Sequence, residues 1–355
     1  MFGYRGSWVW GVGLFLLFFS VFSSVQLEAG ILMQKKQNIL YQNFLDEADE
    51  KSRLYYVYLP KSYDENAERK YPVVLVLHGG GGNARQASEH TNMNALADQE
   101  GFIAVYPEGI GKSVLKKKFA TWNGGICCGQ AQKENIDDVA YMGRVLDQLA
   151  QRYKIDPSRV YATGISNGGI MTHRLACEMS DRIAAVAPIA SPGLSPDCQP
   201  KRPVPIMLIH GTKDQCTKFE GGESCGGCWQ KVIQEGTVFK PKDVSFPCQS
   251  FADQTKVWRT LNACGADTSV LFQKGDTMCL RTVSCQSNAP VVSCTIYGGG
   301  HTWPGAQEKT CKPRQKLCNA RKDILGKTSR DFQANKMMWT FFKQYHLPVD
   351  RGSNP

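Results

Sequence analysis

The pentapeptide Gly164-Ile165-Ser166-Asn167-Gly168 constrains this chain more than any other feature. Residues 159–163 read as a strand and residues 167–179 as a helix, so the chain must turn sharply between them. A sharp turn leaves no room for bulky Cβ groups on either side, a need that Gly164 and Gly168 meet. Ser166 then stands at the apex, over a helix N-terminus whose unpaired N–H groups favour developing negative charge. G-x-S-x-G between strand and helix is the pattern that exposes a nucleophilic serine. The bland alternative, a merely structural serine, does not call for this context.

The rest of the chain repeats the alternation. Strands are predicted over 53–59, 71–77, 102–106, 183–189, 205–209 and 291–297. Helices are predicted over 88–99, from an Asp137 cap to about 153, over 251–261 and over 329–345. In the last of these Met338, Phe341, Phe342 and Tyr345 share one face. Asp156-Pro157 marks a turn. Strands alternating with helices imply an α/β fold: a mostly parallel central sheet with helices on both faces. Residues 215–250 are Gly- and Cys-rich without periodicity and read as an insertion. Ligands in such folds bind at the carboxyl ends of the strands, which is where the candidate residues fall.

A serine needs a base to act as a nucleophile. Of the six histidines, His78 and His210 each end a strand before a glycine and suit loop shaping. His173 lies two turns along the helix after Ser166, and His90 and His346 fall away from the other motifs. His301 remains, just after the last strand in Gly298-Gly299-Gly300-His301-Thr302-Trp303-Pro304-Gly305. It is the expected base. A carboxylate must orient it, and in folds with this elbow the chain order is Ser, acid, His. Asp214 fits that order, after the strand 205–209, with Glu220 and Glu223 as nearby competitors. His78-Gly79-Gly80-Gly81-Gly82 matches the glycine loop that supplies oxyanion donors. The expected donors are the amides of Gly80 and Asn167, with Gly79 and Gly81 as neighbours still open. No G-K-[ST] follows the glycines, which argues against a phosphate loop.

The N-terminus and the cysteines speak of export. Arg5 precedes an almost unbroken apolar run over 8–22, then a polar stretch with small residues. That is the layout of a signal peptide, assigned to residues 1–29, with cleavage after Ser23 or Ala29. The run is shorter than the roughly 20 apolar residues of a membrane span, so an uncleaved anchor is the lesser alternative. Residues 30–355 are then one catalytic domain, secreted or periplasmic, with no membrane association after cleavage. An even count of 14 cysteines reads as disulfides in an oxidising compartment. Cys127 and Cys128 are adjacent and are expected to take different partners. Cys264 is expected to pair with Cys279 or Cys285, and Cys311 with Cys318. Cys216, Cys225, Cys228 and Cys248 could bind zinc, but disulfides are expected, with no metal and no cofactor. The net charge of +10 is scattered, with excesses over 116–118 and 309–327, and no nucleic-acid motif accompanies it.

These residues carry a family resemblance. The chain resembles the exported polyhydroxybutyrate-depolymerase and feruloyl-esterase-like group of α/β-hydrolases, in carbohydrate esterase family one. The match spans about 53–345, through LHGGGGNA at 77–84, Trp122-Asn123 with Cys128, and IDDV at 136–139. It continues with DPSRVYATGISNGGIMTHRLAC at 156–177, His210 to Asp214, residues 220–222, residues 298–305 and residues 335–343. The resemblance implies an α/β-hydrolase fold and the triad Ser166, Asp214 and His301. It also implies that Trp122 and Trp303 line the substrate pocket, with core packing as the alternative for both. Two departures, the Cys-rich segment 215–250 and an enlarged basic loop at 306–328, border the triad and could reshape that pocket.

The function implied is hydrolysis of a small-molecule or polymer ester, of feruloyl or acetyl type or a short polyhydroxyalkanoate oligomer. The last predicted helix lies about ten residues from the end of the sequence, so no appended polymer-binding domain is expected. A serine peptidase of the same fold usually adds a gating domain. A non-catalytic binding protein on a hydrolase scaffold is the other alternative, which turnover of a p-nitrophenyl ester would exclude.

Overall fold

The computed structural model describes residues 39–46, 51–114, 117–236, 245–307 and 316–348. The expected signal peptide lies outside them. Ten strands form one sheet: β1 (Ile39–Asp46), β2 (Lys51–Tyr58), β3 (Tyr71–Leu77), β4 (Ile103–Pro107) and β5 (Ile155–Ile165). The others are β6 (Ala185–Ile189), β7 (Ile206–Gly211), β8 (Thr268–Lys274), β9 (Thr277–Thr282) and β10 (Val291–Ile296). Their order is β1-β2-β4-β3-β5-β6-β7-β10-β9-β8. The six central strands, β4 to β10 in that order, run parallel, and antiparallel strands flank them on both sides.

Strand β3 shows why the sheet needs two covers. Its seven residues are all buried. Val74 and Val76 join one core, while Val73, Leu75 and Leu77 join the other. Side chains alternate across a sheet, so a continuously apolar strand must be packed on both faces. Helices α1 (Ala84–Thr91), α2 (Met93–Glu100) and α6 (Ala334–Phe342) supply one cover. Helices α3 (Asp138–Arg152), α4 (Asn167–Glu178) and α5 (Phe251–Leu261) supply the other. Aromatic stacking reinforces the first layer, with ring centroids 4.9 Å apart for Tyr161 and Phe342 and 4.5 Å for Phe102 and Trp339.

Several elements differ from expectation. The helix predicted over 88–99 is two helices, broken where Asn92 takes the left-handed conformation (φ 54°). The turn expected at Asp156-Pro157 lies inside β5: Asp156 caps Ser158 N, and the register against β3 shifts there. The last helix starts at Ala334 and ends at Phe342, and Ser329, outside it, donates to Asp276. Strands β8 and β9 were not anticipated, since β8 is almost wholly exposed and shows no alternation.

The cysteines pair as Cys177–Cys198, Cys216–Cys228, Cys225–Cys248, Cys264–Cys285 and Cys279–Cys294. The group 216, 225, 228 and 248 is thus two disulfides, and Cys264 takes Cys285 of its two candidates. One expectation is overturned: Cys127 and Cys128 are bonded to each other, with Cα atoms 3.2 Å apart across a cis peptide. The expected Cys311–Cys318 bridge falls partly outside the described residues, although Cys318 is itself disulfide-bonded.

Candidate active site

Ser166 sits between β5 and α4 with φ 59° and ψ −123°, a conformation that non-glycine residues adopt only when the surroundings impose it. What imposes it is close backbone packing. A Cβ on Gly168 would lie 2.5 Å from His78 O and 2.6 Å from Leu77 O. A Cβ on Gly164 would lie 2.5 Å from Gly168 O. The backbone of α4 therefore rests directly on the end of β3, and only glycine fits. Ser166 N donates to Ile189 O at 2.9 Å, which ties the elbow to β6.

Asp214 and His301 follow the neighbouring parallel strands β7 and β10. His301 Nδ1 donates to Asp214 Oδ2 at 2.7 Å, and both side chains are buried. The other carboxyl oxygen, Oδ1, accepts from the backbone N–H groups of Cys216 and Thr217, both at 2.8 Å. Thr217 Oγ1 lies 2.9 Å from Asp214 Oδ2 and 3.0 Å from Ala190 O. His210 Nε2 stands 3.3 Å from Asp214 Oδ2 and 2.7 Å from Thr217 O. His210 thus bridges the acid and the loop residue Thr217. Thr217 was missed, because a threonine three residues past an acid carries no motif. Ser166 connects to this pair through Ile189 and Ala190. Among the described residues no hydrogen bond joins Ser166 Oγ to His301.

The loop around His301 is held as closely as the elbow. A Cβ on Gly211 would lie 2.3 Å from Gly299 O, and one on Gly300 would lie 2.0 Å from Leu325 O. His301 N donates to Leu325 O at 2.6 Å. Leu325 ends the helix Lys316–Leu325, which buries Ile324 against Cys216, Cys228 and Val232 of the Cys-rich insertion. The two enlarged segments therefore pack on one another, and both attach to the Asp214–His301 pair.

Burial works to raise the Asp214 pKa. The charge of His301 and hydrogen bonds from His210 and His301 outweigh it and hold the carboxyl well below the usual carboxylate range. A depressed folded-state pKa contributes stability that is present above the unfolded value of about 3.9 and is lost as pH falls below it. Stability measured by denaturant titration should therefore drop below about pH 4, and Asp214→Asn should flatten that decline. An unchanged acid limb in a folded Asp214→Asn variant would contradict this.

The glycine loop lies against the elbow. A Cβ on Gly79 would be 3.6 Å from Ser166 Cβ, and one on Gly80 would be 3.4 Å from Asn167 Cβ. Gly81 N and Gly82 N are taken by Ala120 O (2.8 Å) and Gly79 O (3.0 Å). That removes Gly81 as a donor toward Ser166. Asn167 is the first residue of α4, where a helix leaves its N–H groups free. The two tryptophans are not on the surface. Trp122 is fully buried and donates through Nε1 to His78 O at 2.9 Å. Trp303 is 6% exposed and donates through Nε1 to Asn335 Oδ1 at 2.8 Å. Asp214, Cys216 and His301 also cluster as a metal site would, but the Cys216 sulfur is committed to Cys228.

A mostly parallel sheet with a strained serine at a strand–helix elbow, and an Asp–His pair at the ends of later strands, defines an α/β-hydrolase. Within that class, residues 53–194 match the model of the esterase PHB depolymerase family. NocK of Nocardia uniformis subsp. tsuyamanensis, named as a candidate esterase, is 32% identical over 66% of this chain and 66% of its own length. Feruloyl esterase B of Piromyces equi is 27% identical over 79% of this chain and 43% of its own length. The chain thus spans less than two thirds of these curated relatives. The acetyl xylan esterase from Aspergillus awamori superposes with a TM-score of 0.50 at 16% identity, over 74% of this chain and 94% of that one, and shares the fold.

Proposed function

We propose that the protein is an exported carboxylic ester hydrolase in which Ser166, His301 and Asp214 act as one unit. The observation that carries this reading is the buried 2.7 Å Asp214–His301 hydrogen bond beside the strained Ser166 elbow. His301 takes the Ser166 proton, and Oγ attacks the ester carbonyl. The Gly80 and Asn167 amides receive the oxyanion, the alcohol leaves with the proton from His301, and an acyl-enzyme remains. Water activated by His301 then releases the acid. Asp214 keeps its charge throughout, holds Nδ1 protonated and leaves Nε2 free to accept. The Ser166–His301 contact closes when substrate binds, as catalytic hydrogen bonds often do.

The substrates proposed are soluble feruloyl or acetyl esters and short hydroxyalkanoate oligomers. What supports small esters over a solid polymer is that the described parts of the two enlarged segments pack together beside Asp214 and His301. Export is supported by the apolar run at 8–22 and by the disulfides, with residues 1–29 as signal peptide and the remainder as one catalytic domain. The test compares kcat/KM on p-nitrophenyl acetate, p-nitrophenyl butyrate and methyl ferulate with clearing of polyhydroxybutyrate granules. Small esters should be turned over faster. Preferential clearing of granules would overturn the substrate class, and no turnover of any ester would overturn the activity.

A further inference from the structure

Trp122 is buried, yet it touches both sides of the proposed oxyanion hole. Its indole Nε1–H donates to His78 O at 2.9 Å, at the head of the glycine loop. Its backbone N–H donates to Asn167 Oδ1 at 2.7 Å, and its carbonyl accepts from Asn167 Nδ2 at 3.0 Å. One residue thus holds the carbonyl that precedes Gly79 and the side chain of the residue that follows Ser166. The indole also packs over the His78 ring at 4.8 Å between centroids. We propose that Trp122 is a positioning residue that clasps the two halves of the oxyanion hole and makes no contact with substrate. This rests on the reading above, in which the Gly80 and Asn167 amides bind the oxyanion.

The need for a clasp follows from where the donors sit. One lies on a loop after β3 and the other on the first turn of α4. Four successive glycines give that loop more backbone freedom than any other sequence would. An oxyanion donor acts only if it is already aimed at the charge that develops. Three hydrogen bonds to one rigid, buried ring-bearing residue fix the two elements relative to each other.

Trp122 is itself anchored by groups that take no part in the chemistry. Asn123 N donates to Asp138 Oδ2 at 2.7 Å, and Asn123 Nδ2 donates to Ile136 O at 3.0 Å. Arg174 Nη1 donates to Asn123 O at 2.6 Å from α4. Asp138 is ion-paired to Arg53, and both side chains are wholly buried. A buried ion pair is weak evidence for stability, because desolvation offsets its Coulomb gain. Here its use is geometric: it fixes the acceptor that holds Asn123 and, through it, Trp122. The IDDV and Trp-Asn motifs, at 136–139 and 122–123, become one device.

Two variants test the clasp. Trp122→Phe keeps most of the ring and deletes the indole donor. Asn167→Ala deletes both side-chain bonds to Trp122, with a longer one to Cys128 Sγ, and keeps the backbone amide. Each should lower kcat by about 10- to 100-fold, with KM within about threefold, because donors are misplaced and binding is not. Affinity for a trifluoromethyl ketone transition-state analogue should fall by the same factor, and the double variant should be hardly worse than either. Independently of turnover, hydrogen exchange over 78–82 and 166–168 should quicken while β3 stays protected. Melting curves check folding, and Asn167→Ala carries the test if Trp122→Phe does not fold. A loss confined to KM would place the indole against substrate and overturn the proposal. Folded variants with wild-type kcat and wild-type exchange would overturn it as well. If the wild type hydrolyses no ester, the proposed function fails, and the exchange measurement still decides the clasp.

Discussion

Ser166→Ala and His301→Ala should each lower kcat by about 10⁴-fold or more, a loss of over about 5 kcal/mol of transition-state stabilisation. The two losses should not add, because a base without its nucleophile does nothing, and the double variant should resemble either single one. Asp214→Asn should also be severe. The carboxylate holds His301 Nδ1 at 2.7 Å, and an amide there permits the wrong tautomer. A phosphonate ester should label the wild type once, at Ser166, and leave Ser166→Ala unlabelled. Circular dichroism must first show that each variant is folded, since α4 rests on β3 through backbone contacts at Gly168. A folded Ser166→Ala variant with full activity would remove the basis of the mechanism.

Reduction of the native protein should lower its melting temperature by more than about 10 °C, because each native disulfide typically contributes about 2–5 kcal/mol. That sum rivals the total stability of an ordinary domain. The bridges are also placed to matter for chemistry. Cys216 follows Asp214 by two residues, its N–H caps Asp214 Oδ1, and its sulfur joins Cys228 of the insertion. Cys225–Cys248 closes the same segment. Activity should therefore fall with reduction at temperatures where the sheet is still intact. Thiol titration of the unreduced protein should find none among the described cysteines. Several reactive thiols, or a melting temperature indifferent to reductant, would show that the bridges do not hold this site.

The elbow was legible because it is local: Gly164, Ser166 and Gly168 lie within five positions, and the strand and helix around them follow from short-range periodicity. The buried parallel strands were legible for the same reason, since β3 is apolar at nearly every position. Strand β8 was not, because an exposed edge strand has no buried face to mark in its sequence. The split between α1 and α2 was not, because a left-handed Asn leaves no mark on hydrophobic spacing.

Asp214 and His301 stand between these cases. Their order along the chain was readable, but their contact spans 87 residues, and only the pairing of β7 with β10 brings them together. Thr217 and the backbone donors to Asp214 had no sequence signal at all. Trp122 is the clearest instance. The motif marked it as a residue near the chemistry, and the resemblance suggested substrate contact. Only the packed structure showed it buried, bonded to His78 on one side and Asn167 on the other. Chain-local chemistry, in which a few neighbouring residues fix a turn or a pleat, was determined by the sequence itself. Which distant residues share a hydrogen bond was decided by the sheet, because strand order alone sets which loops meet at its carboxyl edge.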